Sequence, residues 1–350
     1  MALSLVVLSS LLTAPVPAPV VIEGVVTEQS SRWEDGIIVT RSIVEVTNVL
    51  TGSAPAKVQV RHLGGAVDGI GQWWSGGVWL VPGERVRLDL APSGAEMTVV
   101  GGETGVHQLG AGTERYVRTT TASAMPECPQ QMKYPLFWNV VTIPYVIDSA
   151  GSDDIRPPEP AFAAIRASFA TWENIDRSYI SFQDNGLVDN VKIGYEKSGP
   201  NSNAVKFIEE DWTRDFRALA ITLATFDCNS GEIVDADIIL NGEDAVFTTN
   251  PAVDVTKNDI QNTVTHEVGH FIGFDHNTDP ESTMYSDAAP GETKKRDLTQ
   301  DDIQGAIDVY EVGHEPEPAG CCSGAGHPGS PLALGALVGL VALRRRRARA

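Results

Sequence analysis

The stretch THEVGHFIGFDHN, residues 265–277, places three of the chain's seven histidines close together. In an α-helix, residues four apart share a face, so His266 and His270 would present both imidazoles to one point. Two neutral imidazoles at that spacing suit Zn²⁺, which takes nitrogen and sulfur ligands in a tetrahedron. Glu267 falls about 100° further round the helix. There its carboxylate can accept a proton from a water beside the metal. Gly273 can end the helix in a left-handed conformation, and the returning chain would bring His276 in as a third ligand. The fourth position is then left to water, as in catalytic rather than structural zinc sites. A bare His-Glu-x-x-His competes with a chance surface pattern. Here the glycine and the third histidine follow in step, and STMYSD supplies Met284 eight residues beyond His276.

Outward from this stretch, the pattern from about residue 127 is mixed α and β. VTIPYVID reads as a strand, and PEPAFAAIRASFATWENI as an amphipathic helix with Phe162, Ile165, Phe169 and Trp172 on one face. SYISF, NVKIGYE and ALAITLATF read as further strands. NDIQNTVTHEVGHFIGF reads as a helix capped at Asn258. The last helix, TQDDIQGAIDVYE, starts at Thr299 with acidic residues in its first turn, which suits the helix dipole.

The run His266, Glu267, His270, Gly273, His276, with Met284 at the Met-turn position, resembles the metzincin metallopeptidases. The final helix and the helix ending at Trp172 resemble those of the matrixin branch, so the likeness spans about residues 135–312. It implies an α+β fold, a twisted mixed five-stranded sheet over the zinc helix. It also implies endopeptidase activity on protein or peptide substrates, with Glu267 as general base, and Met284 as an apolar floor under the histidines. LAITLAT, residues 219–225, would be the edge strand that pairs with extended substrate, and Tyr285 would line the substrate pocket. The structural-zinc histidines of matrixins are missing. Where one would fall the chain has VDADIILNG, whose Asp235 and Asp237 either hold Ca²⁺ through oxygen ligands or sit on a solvated turn. The full latency motif is absent too; only Cys128, in MPECPQQ, falls in its region.

Residues 19–115 read as a small all-β barrel or sandwich preceding the peptidase-like domain, either a retained accessory module or a removable pro-domain. Its strands are expected in VIEGVVTEQSS, GIIVTRSIVEVTNVL, AKVQVRHL, VWLVPGERVRLDL and EMTVVGG, with LTGSAP, HLGGAVDGIGQ and VPGER as punctuation. Trp73, Trp74 and Trp79 could form a binding surface, but core packing is the commoner use of such residues. Residues 116–126 read as a linker, and 127–314 as the peptidase-like domain.

Both ends resemble targeting segments. Residues 1–18 carry a short apolar run followed by small residues and prolines, similar to a signal peptide. Residues 315–350 hold Cys321 and Cys322, an apolar run and an arginine cluster, and resemble myxobacterial surface sorting tails processed near the cysteine. A secreted or cell-surface protein, with transient membrane association through the tail, is the expectation. Cys128 and Cys228 are the cysteines outside that tail. They either form a disulfide, which an even pair in an oxidising compartment favours, or Cys128 serves as a thiolate zinc ligand.

The formal net charge is −20. An acidic surface of this kind argues against nucleic-acid binding and suits a soluble protein or one that collects divalent cations. A monomer is expected. Two other functions compete with the peptidase: a non-catalytic surface binding protein that keeps the zinc site, and a zinc hydrolase of non-peptide amides. Glu267 weighs against the first, because a purely structural zinc has no need of that carboxylate.

Overall fold

The computed structural model describes residues 20–93, 95–109, 128, 136–212 and 217–316. The signal-like segment, the linker and the tail with Cys321 and Cys322 lie outside the described residues.

The N-terminal part is built from alternating apolar residues in β1 (Val20–Glu34), β2 (Ile37–Thr51) and β3 (Lys57–Leu63). The short β4 (Gly65–Val67) and β5 (Ile70–Trp74) follow, then β6 (Arg85–Ser93), β7 (Glu96–Val99) and β8 (Val106–Gln108). Strand β1 pairs with β2 and also with β6, while β3 meets β7 and β7 meets β6. The ring therefore closes, and its interior is an apolar cluster that includes Ile22, Val26, Val44, Val60, Val86, Leu88 and Leu90. Closure removes the free edges that a lone sheet would expose. The VWLVP half of the expected fourth strand is not part of any strand, and β6 begins only at Arg85.

Strands β4 and β5 do not join this ring. HLGGAVDGIGQ, read from sequence as punctuation, is instead a hairpin. Its two-residue turn is Asp68-Gly69, both with positive φ (53° and 80°), between the paired Val67 and Ile70. Asp-Gly supplies the left-handed pair that a tight hairpin turn requires.

The second sheet carries β9 (Thr142–Asp148), β10 (Ser181–Val188), β11 (Ala204–Ile208), β12 (Ala220–Asp227) and β13 (Ile233–Asn241). Their order is β10-β9-β11-β13-β12, with β12 antiparallel to β13 and the others parallel. Those five strands match the mixed five-stranded expectation. The hairpin then extends them, because β5 pairs antiparallel with β12 and the full sheet has seven strands, ending in β4. Strand β12 is consequently not an open edge.

NVKIGYE is not a strand. Its backbone donors go to carboxylates instead of a neighbouring strand: Val191 N donates to Asp148 Oδ2 at 3.0 Å and Gly194 N to Asp237 Oδ2 at 2.7 Å. Strand β11, hidden in NSNAVKFIEE, takes the place between β9 and β13. VDADIILNG is not a turn either; Asp235 and Asp237 lie inside β13, both fully buried.

Helix α1 (Glu159–Glu173) buries Phe162, Ile165, Phe169 and Trp172 against the sheet and against α2 (Ile260–Phe271). The two-residue strands β14 (Phe247–Thr248) and β15 (Asn258–Asp259) pair just before α2. The cap of α2 is Asp259 rather than Asn258. Asp259 is extended, and its Oδ1 accepts from Asn262 N at 2.8 Å. Helix α3 (Gln300–Tyr310) starts with a capping box between Thr299 and Asp302. Cys128 and Cys228 form a disulfide spanning 100 residues, so Cys128 is not a free thiolate. A loop of that length corresponds to roughly 4–5 kcal/mol in the chain-entropy model. Trp74 packs with Trp212, Ile221, Leu223 and Ile239, and Ile37 and Leu63 of the ring lean on the same cluster. Trp73 enters the main core. These tryptophans are core residues, as expected, but of the second sheet rather than of the ring. No helix among the described residues is long and apolar enough to cross a membrane.

Candidate metal centre

Helix α2 is held from three sides. Trp172 Nε1 donates to Thr265 O at 2.8 Å, Trp138 Nε1 to Phe271 O at 2.8 Å, and Tyr310 Oη to Ile272 O at 2.7 Å. The last two satisfy carbonyls that a helix end leaves without partners. Gly273 has φ +100° and its N–H returns to His270 O at 2.9 Å, which ends the helix where the sequence indicates. A Cβ there would collide with the Leu136 carbonyl, so glycine is required twice over, by conformation and by space. The turn then delivers His276, and Asn277 N donates to Met284 O at 2.8 Å, joining this loop to the one carrying Met284.

His266, His270 and His276 each offer a ring nitrogen within 4.8 Å of the others, so the three could hold one metal ion. Two of the rings are fixed in tautomer. His266 Nδ1 faces Thr283 O and His270 Nδ1 faces Phe274 O, both at 2.7 Å. A carbonyl can only accept, so each Nδ1 carries the proton and each Nε2 carries a lone pair. Those Nε2 atoms face each other at 3.1 Å. Two lone pairs at that distance repel unless a cation lies between them, and imidazole nitrogens about 2.0–2.1 Å from a tetrahedral zinc would stand about 3.3–3.4 Å apart, close to this spacing. The donor set therefore fits zinc. Burial, with the other imidazoles nearby, lowers the His266 pKa well below its ordinary value and that of His270 to about 3, which keeps both rings neutral as ligands must be.

Met284 is buried, and its sulfur lies against Gly269 of the same helix, next to His270 in the chain. Glu267 is also buried. Its Oε2 accepts from Thr222 Oγ1 at 2.6 Å and from Ser75 Oγ at 3.4 Å. Burial pushes its carboxyl up to about 7, against the pull of the Thr222 hydrogen bond. Tyr285 follows Met284, and its carbonyl accepts from the Lys295 ammonium, which burial lowers to about 8. Asp235 and Asp237 lie away from this cluster. Asp237 accepts from Gly194 N and Ala204 N, whereas neither oxygen of Asp235 has a hydrogen-bond partner.

Four residues of the site were not singled out from sequence. Thr222 comes from β12 and Lys295 from the segment before α3, and no local pattern marks either. Ser75 and Glu103 come from the N-terminal part. Glu103 Oε1 accepts from His276 Nδ1 at 3.2 Å, leaving the His276 Nε2 for a metal. For Ser75 a signal did exist, the Asp-Gly turn just before it in sequence.

A mixed sheet crossed by a His-Glu-x-x-His helix, with a third histidine past a glycine turn, is consistent with an α+β metzincin fold. The matrixin family model matches residues 137–311, half of the chain, and the chain belongs to that family. Among similar proteins, Metalloendoproteinase 1-MMP of Arabidopsis thaliana is 27% identical over 175 residues, covering 49% of this chain and 44% of that protein. Metalloendoproteinase 1 of Glycine max is 37% identical over 65 residues, 17% of this chain and 21% of its own. Matrilysin of Homo sapiens is 41% identical over 46 residues, 13% and 17% respectively. The chain thus spans less than half the length of each of these relatives.

Proposed function

We propose that this protein is a zinc-dependent endopeptidase in which His266, His270 and His276 hold the metal and Glu267 is the general base. The observation that carries this reading is the facing pair of unprotonated Nε2 atoms with a buried carboxylate beside them. Bound zinc would supply a Lewis acid that polarises a scissile carbonyl and lowers the pKa of a cleft water. Glu267 takes that water's proton and returns it to the leaving amine. With Oε2 tied to Thr222, the proton is carried on Oε1. Burial disfavours the charged carboxylate against the pull of Thr222, which helps it hold the proton it takes until the amine leaves. Met284 keeps the floor beneath the histidines apolar and excludes water there. Protein or peptide chains are the proposed substrates.

The test is metal content with turnover of a quenched fluorescent peptide. One zinc per chain is expected, and His276→Ala should sharply weaken it. Glu267→Ala should keep the zinc and lose on the order of 10²–10⁴ in turnover. Equal turnover in Glu267→Ala would remove the general base from the mechanism. Export also belongs to this proposal, supported by the disulfide, which persists in oxidising compartments. The intact mass of cell-derived protein checks it, and recovery of a chain running from Met1 to Ala350 would refute processing at either end.

A further inference from the structure

The three histidines are not held alike. His266 and His270 lie on helix α2, are buried, and each gives its Nδ1 proton to a carbonyl of a nearby loop, Thr283 O and Phe274 O. His276 sits on the turn after the helix, and its side chain keeps 17% of its surface exposed. Packing therefore fixes this ring less than the other two. Among the described residues its Nδ1 reaches one acceptor, the Glu103 carboxylate at 3.2 Å, 173 positions away in the chain. A carbonyl is a neutral acceptor, whereas this one carries a full charge, which makes for a stronger hydrogen bond and a more basic imidazole.

The turn that carries Glu103 is shaped for this approach. It is a single 3-10 turn, Gly102–Gly105, entered through Gly101, and Gly101 and Gly102 both have positive φ, 86° and 55°. A Cβ on Gly102 would collide with the Gly76 carbonyl. Glycine there lets the turn settle on the chain that leaves β5. Glu103 N donates to Gly76 O at 3.0 Å, and Thr104 N closes the turn on Gly101 O at 3.0 Å. The Glu103 backbone is thus anchored independently of its side chain, which is left to meet His276.

We propose that Glu103 is a positioning residue of the metal centre: its carboxylate aims the His276 ring at the metal and strengthens Nε2 as a donor, so zinc affinity depends on the N-terminal part of the chain. The proposal rests on the three histidines holding zinc, but not on turnover. A carboxylate behind a metal-binding imidazole fixes the ring, and its loss costs about 10–100-fold in metal affinity. Coupling between two binding events is reciprocal, so zinc must tighten the docking of the Glu103 turn by the same factor. Removing the N-terminal part would therefore weaken the metal centre.

The experiment uses the full chain, wild type against Glu103→Ala and Glu103→Gln, with zinc as the probe. Zinc dissociation constants are read by competition with a chromophoric chelator, and metal-free stability by melting. Hydrogen exchange of the Glu103 amide is followed with and without zinc. Glu103→Ala should bind zinc about 10–100-fold more weakly. Its metal-free melting temperature should stay within about 1 °C of wild type, because the side chain is half exposed. Glu103→Gln keeps an acceptor without the charge and should recover part of the loss. Zinc should slow exchange of the wild-type amide by about the same factor as the affinity change, and do so far less in Glu103→Ala. A wild type that binds zinc, with Glu103→Ala equal to it within about twofold, would overturn this proposal alone. So would a loss of zinc affinity matched by an equal loss of metal-free stability, which marks a structural role only. A wild type that binds no zinc would overturn the metal reading and this proposal with it.

Discussion

Asp302→Ala tests how the metal centre is braced from behind. The Asp302 carboxylate accepts four hydrogen bonds. Ser282 Oγ reaches Oδ1 at 2.7 Å, while Thr283 N, Thr299 N and Thr299 Oγ1 reach Oδ2 at 3.0, 2.9 and 2.6 Å. One side chain thus caps α3 and fixes the loop that carries Met284, and the carbonyl of that same Thr283 holds His266 in its tautomer. Burial alone would raise the Asp302 pKa, but the hydrogen bonds from Thr299, Ser282 and Thr283 outweigh it and hold the value below the ordinary one. Hydrogen bonds to a charged acceptor are worth about 1.5–3 kcal/mol each. They are not additive, and the freed hydroxyls can find other partners, so a loss of about 3 kcal/mol is expected. With about 2.1 cal/mol/K of unfolding entropy per residue, this lowers the melting temperature by roughly 5 °C. The sign with pH follows from the lowered value. The carboxylate's contribution is fully present above the unfolded pKa of about 3.9 and is lost as pH falls through the lower folded value. Calorimetry from pH 7 down to pH 3 should therefore show wild type and variant converging at the acid end. Zinc affinity should also drop, by at most about tenfold, because Asp302 acts on His266 only through Thr283. A variant melting within 1 °C of wild type at pH 7 would refute the bracing argument.

Two further substitutions probe other parts of the chain. Gly273→Ala puts a Cβ against the Leu136 carbonyl at a left-handed φ, so about 2–4 kcal/mol of stability should be lost, with lower zinc content as His276 is displaced; zinc retained at full stoichiometry would contradict that placement. Asp235→Asn should stabilise the protein by about 1–3 kcal/mol at pH 8. Burial and the neighbouring Asp237 raise the Asp235 pKa, so its cost grows as pH rises from the unfolded value of about 3.9 through the folded one. Melting curves at pH 5 and pH 8, with and without added calcium, check this. A lower melting temperature in the variant, together with a calcium-dependent wild type, would show a cation bound between the two carboxylates.

The candidate metal centre was legible in the sequence because its determinants are local. Helical spacing alone brings His266 and His270 to one face, a left-handed glycine alone turns the chain toward His276, and Thr299 with Asp302 caps a helix wherever it lies. Apolar alternation likewise marked β1, β2, β3, β9 and β12. What failed were segments whose pairing depends on distant partners. NVKIGYE alternates like a strand, yet its amides are claimed by Asp148 and by Asp237, 43 residues from Val191 and Gly194 respectively. VDADIILNG reads as either a calcium site or a solvated turn until its two aspartates are found buried within β13. GIGQWW carries a glycine where most strands would place a side chain, and only the Phe226 ring facing Gly71 explains it. That an N-terminal hairpin takes the β12 edge, and that Ser75 and Glu103 reach Glu267 and His276, rests on contacts between residues about 150 to 190 positions apart. No window of sequence contains both ends of such a contact, so only the folded chain could bring these residues together.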